Sequence, residues 1–111
     1  MAKNLREGVL LDFYGELLTQ KQKRALELYY NEDLSLAEIA EDMQVSRQGV
    51  RAFIKQGEAH LEEFEEKLGM FERFSRISRL SKEAKQVAEK LCQSEEKTKL
   101  IKNIEKIENL L

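Results

Sequence analysis

The chain has 111 residues, 36% of them charged, with no proline or tryptophan, a make-up that suits long helices in one domain, or one small domain plus an extension. Its net charge of −2 excludes a uniformly basic surface of the kind that gives nonspecific affinity for nucleic acid. No apolar run approaches the roughly eighteen residues of a membrane span, the Met1 end lacks a signal-peptide core, and the single cysteine permits no internal disulfide, so a cytoplasmic protein without membrane insertion is expected.

The first predicted helix covers residues 4–18. Leu5, Val9, Phe13 and Leu17 recur every four residues, with Leu10 and Leu18 beside them, and mark its expected core face. Gly8 and Gly15 each weaken it by about 1 kcal/mol relative to alanine, or permit close packing. Thr19 caps a second helix, with Gln22 placed to close a capping box. Ala25, Leu26, Leu28, Tyr29 and Tyr30 make its end nearly apolar all round, so it is the expected most buried helix. The tyrosine pair reads as core with a hydroxyl reaching the rim. Residues 31–33 form a turn.

Ser35 to Lys55 organises the rest. Ser35 is an N-cap with Glu38 three residues on, a capping box, and Leu34 with Ile39 is placed as a hydrophobic staple. Ser46 is a second N-cap, with Val45 and Val50 as its staple. Ile39, Ala40 and Met43 supply one apolar face, and Val50, Phe53 and Ile54 the other. Two helices this short, joined by so few residues, cross steeply, which is the helix-turn-helix arrangement. Ala40 provides the small side chain at the crossing. Gln44 occupies the turn position that is often glycine and must accept a strained, left-handed or near-bridge backbone. The outward face of the second helix carries Ser46, Arg47, Gln48, Arg51 and Lys55. Arg47, Arg51 and Lys55 lie four apart, as one stripe. Arginine and glutamine read guanine and adenine edges in the major groove, while serine and lysine suit phosphates.

Tyr29-Tyr30, Glu32 to Leu36, Glu38 to Glu41 and Val45 to Gln48 resemble the YlxM family of small bacterial proteins assigned a helix-turn-helix. The likeness extends upstream through Asp12-Phe13-Tyr14, Leu17-Leu18-Thr19, Lys21-Gln22 and Leu26-Glu27-Leu28, and downstream through Glu65 to Leu68. The helix-turn-helix portion is also similar to region 4 of primary sigma factors. Members of the family tend to be encoded beside the signal-recognition-particle GTPase. The resemblance therefore implies a DNA-binding regulator with a role in that pathway or its regulation, and components of the particle as partners.

Beyond Lys55, Val50, Ile54, Gly57, Leu61, Phe64, Leu68 and Phe71 keep a heptad spacing, which predicts one helix continuous from Arg47 to Phe74, on the order of 40 Å long. Gly57 on this seam is either a kink or a point of close approach. Leu61, Phe64, Leu68 and Phe71 are the expected oligomerisation residues. In the tail, Ile77, Leu80, Ala84, Val87 and Leu91, then Leu100, Ile104, Ile107 and Leu111, predict two amphipathic helices with Ser81 and Ser94 as N-caps and a break near Gln93. Arg73, Arg76, Arg79, Lys82 and Lys85 form a basic cluster, either a solvated face or a nucleic-acid backbone contact. Cys92 reads as a half-buried structural thiol on a helix.

The chain shows no glycine-rich phosphate loop, no metal-spaced histidine or cysteine set and no nucleophile–base pair, so an enzyme is not expected, nor a cofactor or metal. The sequence thus predicts an all-α homodimer, with a helix-turn-helix domain over 1–60 and a helical extension over 61–111. Residues 1–60 are themselves net −2. That balance and the long seam favour a protein or RNA adaptor, while the capped Arg47-Gln48-Arg51 face favours DNA.

Overall fold

The computed structural model describes residues 3–111. It is all-α: α1 (Leu5–Tyr14), a 3-10 turn (Gly15–Leu17), α2 (Gln20–Tyr30), α3 (Leu36–Met43), α4 (Arg47–Leu68), α5 (Met70–Glu89) and α6 (Glu95–Asn109). The helices start where short polar side chains cap them. Asn4, Thr19, Ser35, Ser46 and Ser94 each accept a backbone N–H from the first turn, which satisfies a donor that the helix itself cannot. Ser35 and Glu38 complete the expected box. Gln22 does not close a second one. Its side chain is buried, its Oε1 has no partner, and its Cβ lies against Gly57 of α4.

Two compact units result, one reaching to Phe71 and the other spanning Glu72–Leu111. In the first, α4 packs against α1, α2 and α3. Leu10, Leu11 and Tyr14 of α1, Leu26 and Tyr29 of α2, Ile39 of α3 and Val50, Ile54 and Leu61 of α4 belong to one buried cluster. Tyr29 is buried as expected, and Tyr30 meets it edge-to-face at 5.1 Å while its hydroxyl reaches Glu58. Gly57 is a point of close approach. α4 runs straight through it, and a Cβ there would lie 2.6 Å from Leu26 Cδ1.

The expected core face of the first helix is corrected. Leu5, Val9 and Leu17 are exposed, and α1 buries Glu7, Leu10, Leu11 and Tyr14 instead. Both faces of this helix carry large apolar residues, so period alone does not choose between them. The helix also stops at Tyr14. Leu11 packs where a Cβ on Gly15 would stand, at 3.3 Å, and the chain tightens into the 3-10 turn.

A single helix from Arg47 to Phe74 is likewise not formed. Gly69 ends α4 in the left-handed conformation, φ 61°, with its N–H on the Glu65 carbonyl at 2.8 Å. α5 starts at once, and its first N–H groups are capped from elsewhere in the fold. Met70 N–H donates to the Tyr14 hydroxyl at 3.0 Å, Phe71 N–H donates to Glu65 Oε1 at 3.0 Å, and the Tyr14 hydroxyl donates to that same carboxylate oxygen at 2.6 Å. A buried tyrosine and a buried glutamate thereby fix the junction of α4 and α5 onto α1.

In the second unit, Ser94 caps α6 and Lys97 Nζ donates to the Glu89 carbonyl at the end of α5. Ser81 caps nothing. It lies inside α5, buried, with an unpartnered hydroxyl. Cys92 is not on a helix either, and is exposed in the turn that joins α5 to α6.

Candidate nucleic-acid interface

The steep crossing of α3 and α4 begins with how α3 ends. Gln44 takes the left-handed conformation, φ 58° and ψ 44°, as the strain expected at that turn position requires. Its N–H reaches the Glu41 carbonyl at 3.3 Å, and Val45 N–H reaches the Ala40 carbonyl at 3.0 Å. This pair of bonds closes the helix end in a Schellman arrangement. Ala40 is buried and Val45 packs against the core, so the turn is anchored from beneath. Ser46 Oγ then accepts from Gly49 N–H at 3.0 Å and starts α4. Glu38, at the first turn of α3, is held below the usual carboxylate range by the Ser35 backbone N–H and then by the Ser35 hydroxyl.

A glycine at 44 adopts this backbone without the Cβ conflict that costs other residues about 1 kcal/mol. Gln44→Gly is therefore expected to raise stability by about that amount, less the added entropy of the unfolded chain. A denaturant midpoint that falls instead would show that the Gln44 side chain contributes more than its backbone costs.

α4 presents Arg47, Gln48, Arg51 and Lys55 on one open, exposed surface that also includes Ala52, and Ser46 is exposed at its start. What distinguishes this surface is the state of its charges. Up to Phe71 the chain has nine lysines and arginines. Five of them are engaged by carboxylates: Lys3 by Asp33, Arg6 by Glu62, Lys23 by Glu16 and Glu27, Arg24 by Asp42, and Lys67 by Glu63. Among the described residues Arg47, Arg51 and Lys55 form no ion pair, and Lys21 on α2 is the fourth without one. Three of these four free cations are gathered on one helix face, whereas the acidic excess is partly spent on the other cations.

The expected oligomerisation residues are not equivalent. Leu61 is fully buried in the chain's own core. Phe64 is half-buried beside Tyr14, ring centres 6.0 Å apart, and Phe71 meets Phe13 edge-on at 5.9 Å. Only Leu68 is exposed. In the second unit, Arg73, Arg76, Arg79 and Lys82 are exposed and Lys85 is half-buried. A spacing of three on a helix drifts by about 60° per step, so these side chains wind around α5 and make no single stripe.

Sequence reasoning missed the buried carboxylates Glu7 and Glu65, each of which carries the signal of an ordinary surface charge. It also missed the ion pairs that leave α4 as the basic face.

The family model described as "Putative helix-turn-helix protein, YlxM / p13 like" matches residues 1–109. The chain belongs to this family. Its relatives include UPF0122 proteins of Halalkalibacterium halodurans, 44% identical over 106 residues (96% of this chain, 97% of the relative), and of Bacillus velezensis, 44% over 108 residues (97% and 98%). A UPF0122 protein of Bacillus cereus AH187 is 46% identical over 109 residues, 97% of this chain and 99% of the relative. The family's helix-turn-helix description agrees with the α3–α4 geometry. Among the described residues, no helix is long and apolar enough to cross a membrane.

Proposed function

We propose that the protein is a DNA-binding regulator that reads duplex DNA with the outward face of α4. The observation that carries this reading is the set of unpaired cations, Arg47, Arg51 and Lys55, aligned on a capped second helix of a helix-turn-helix. In this reading Arg47, Gln48 and Arg51 enter the major groove and meet base edges, while Ser46 and Lys55 meet phosphates. The resemblance to sigma region 4 supports the same placement. The family's link to the signal recognition particle supplies the setting we propose, a cytoplasmic regulator serving that pathway.

Genomic fragments selected at about physiological salt should yield an enriched sequence. On it, Arg47→Ala or Arg51→Ala is expected to cost about 1–3 kcal/mol and to relax discrimination at one position. Lys55→Ala should weaken all duplexes alike and reduce the salt slope by roughly one unit.

One observation favours a second reading. The net charge of −2 is poor for a duplex binder, and it suits an adaptor that uses the same face for a protein partner. If no sequence is enriched and the three variants instead disturb a complex recovered by pull-down with and without nuclease, the adaptor reading replaces the first.

A further inference from the structure

We infer that two copies of this chain pair through the apolar face of α5 and α6, placing two helices from each copy in a four-helix bundle. This does not depend on the ligand proposed for α4.

The second unit cannot cover its own apolar residues. Of its forty residues, Ser81, Ala88 and Ile104 are the buried ones. Along α5, Leu80 remains 54% and Val87 64% exposed, with Ile77 and Ala84 exposed on the same stripe, and Leu91 just past the helix end is 50% exposed. Along α6, Leu100 and Ile107 are exposed beside the buried Ile104, and Leu111 is exposed just past the helix end. Folded units of about forty residues or fewer usually need a disulfide, a metal or a second chain. The only cysteine is exposed in the turn, and no metal-binding group of side chains exists among the described residues. For this unit taken by itself, a second chain is the route left.

The pattern says what kind of chain. Both stripes step by three and four, the 3.5-residue period that packs helix against helix at a shallow angle and that four-helix bundles use. A partner must therefore be helical, apolar at the same period and of similar length. This unit has those properties itself, so a twofold axis matches face to face. Half the surface of seven or so aliphatic side chains amounts to roughly 500 Å² per chain and about 1,000 Å² in the pair, the size at which specific interfaces begin.

Charge separates this occupant from an acidic one. Glu72–Leu111 holds ten lysines and arginines against seven acidic residues, a net +3. Two such units repel, and salt screens that repulsion. A nucleic acid on the same unit would be released by salt.

Sedimentation of the nuclease-treated full chain at micromolar concentrations should show a dimer that tightens as salt rises. Leu80→Glu with Val87→Glu should raise its dissociation constant at least about a hundredfold while the unfolding of the first unit stays unchanged, because both side chains are exposed there. Spin labels on Cys92 should give a defined distance distribution in the native chain that the double variant abolishes. A monomer at about 100 μM, association lost on nuclease treatment, or a dimer that survives the double variant and is broken by Leu68→Glu would each overturn the inference.

Discussion

Tyr14→Phe is expected to lower stability by about 2–3 kcal/mol, with a fall in Tm of roughly 10 °C or more. The substitution removes one oxygen and keeps the ring, so packing against Phe13 and Phe64 is retained. What is lost is the centre of a buried network. The hydroxyl donates to Glu65 Oε1 and accepts from Met70 N–H. Without it, a buried carboxylate keeps the Phe71 N–H, and the Met70 N–H loses its partner at the first turn of α5. Taking one donor from a buried charged acceptor costs more than a bond between neutral groups, because water cannot replace the missing donor. Burial and the hydrogen bond to Glu65 also hold the Tyr14 hydroxyl above the usual tyrosine range, so it remains a donor at neutral pH. Amide exchange locates the effect. Met70 and Phe71 should lose protection in the variant before the α2 and α3 amides do. An unchanged Tm with unchanged exchange at those two amides would show that the junction of α4 and α5 is held by apolar packing alone.

The helix-turn-helix was legible in the sequence because its determinants are local. A cap, a box and a staple lie within a few residues of one another, and Ser35, Glu38, Ser46 and Ser94 act as their spacing predicts. The basic stripe was legible for the same reason, being a matter of helical period. What failed required knowledge of distant residues. α1 has apolar side chains on two faces, and only the surface offered by α2 and α4 selects Leu10, Leu11 and Tyr14 over Leu5 and Val9. Glu65 looks like one more acid in a solvated run until Tyr14, fifty-one positions earlier, comes to it. The heptad seam of α4 marked residues that become covered but not what covers them. From Val50 to Leu61 the cover is the chain's own helices. Ser81 fits a cap by residue type, yet α5 passes through it because nothing nearby stops the helix, whereas Gly69 does stop one. The net charge is limited in a related way, since a count does not show which cations are already paired.

The remaining prediction concerns Glu7, which α1 turns inward with its core residues. Stability should fall as pH rises from about 5 to about 8 and then level off, and Glu7→Gln should abolish that fall. Glu7 is buried and its Oε2 has no partner. It faces Glu58 and Glu62 on α4, while Arg6 beside it is already held by Glu62 at 2.8 and 3.1 Å and Tyr30 of α2 donates to Glu58 at 2.6 Å. Burial foremost, then the hydrogen bond to Glu62 and the negative charges of Glu62 and Glu58, push the Glu7 carboxyl up to about 8, against the weaker pull of Arg6. The unfolded chain releases this proton near pH 4.5, an ordinary carboxyl value. Between those limits the folded state binds more protons than the unfolded one, so its stability declines with rising pH. One proton sets a slope of about 1.4 kcal/mol per pH unit between those two values. The carboxyls held low work at the other end of the scale. Glu62 by Arg6, Asp33 by Lys3 and Glu63 by Lys67 contribute stability that is lost only as pH falls through their folded values, below about pH 4.5. Glutamine keeps the shape of Glu7 and can donate to Glu62, but it has no charge to gain. Denaturant midpoints at roughly pH 5, 7 and 9 should therefore coincide for the two proteins at the acidic end and separate at the alkaline end, with the variant the more stable. Parallel profiles would mean that Glu7 is already ionised in the fold.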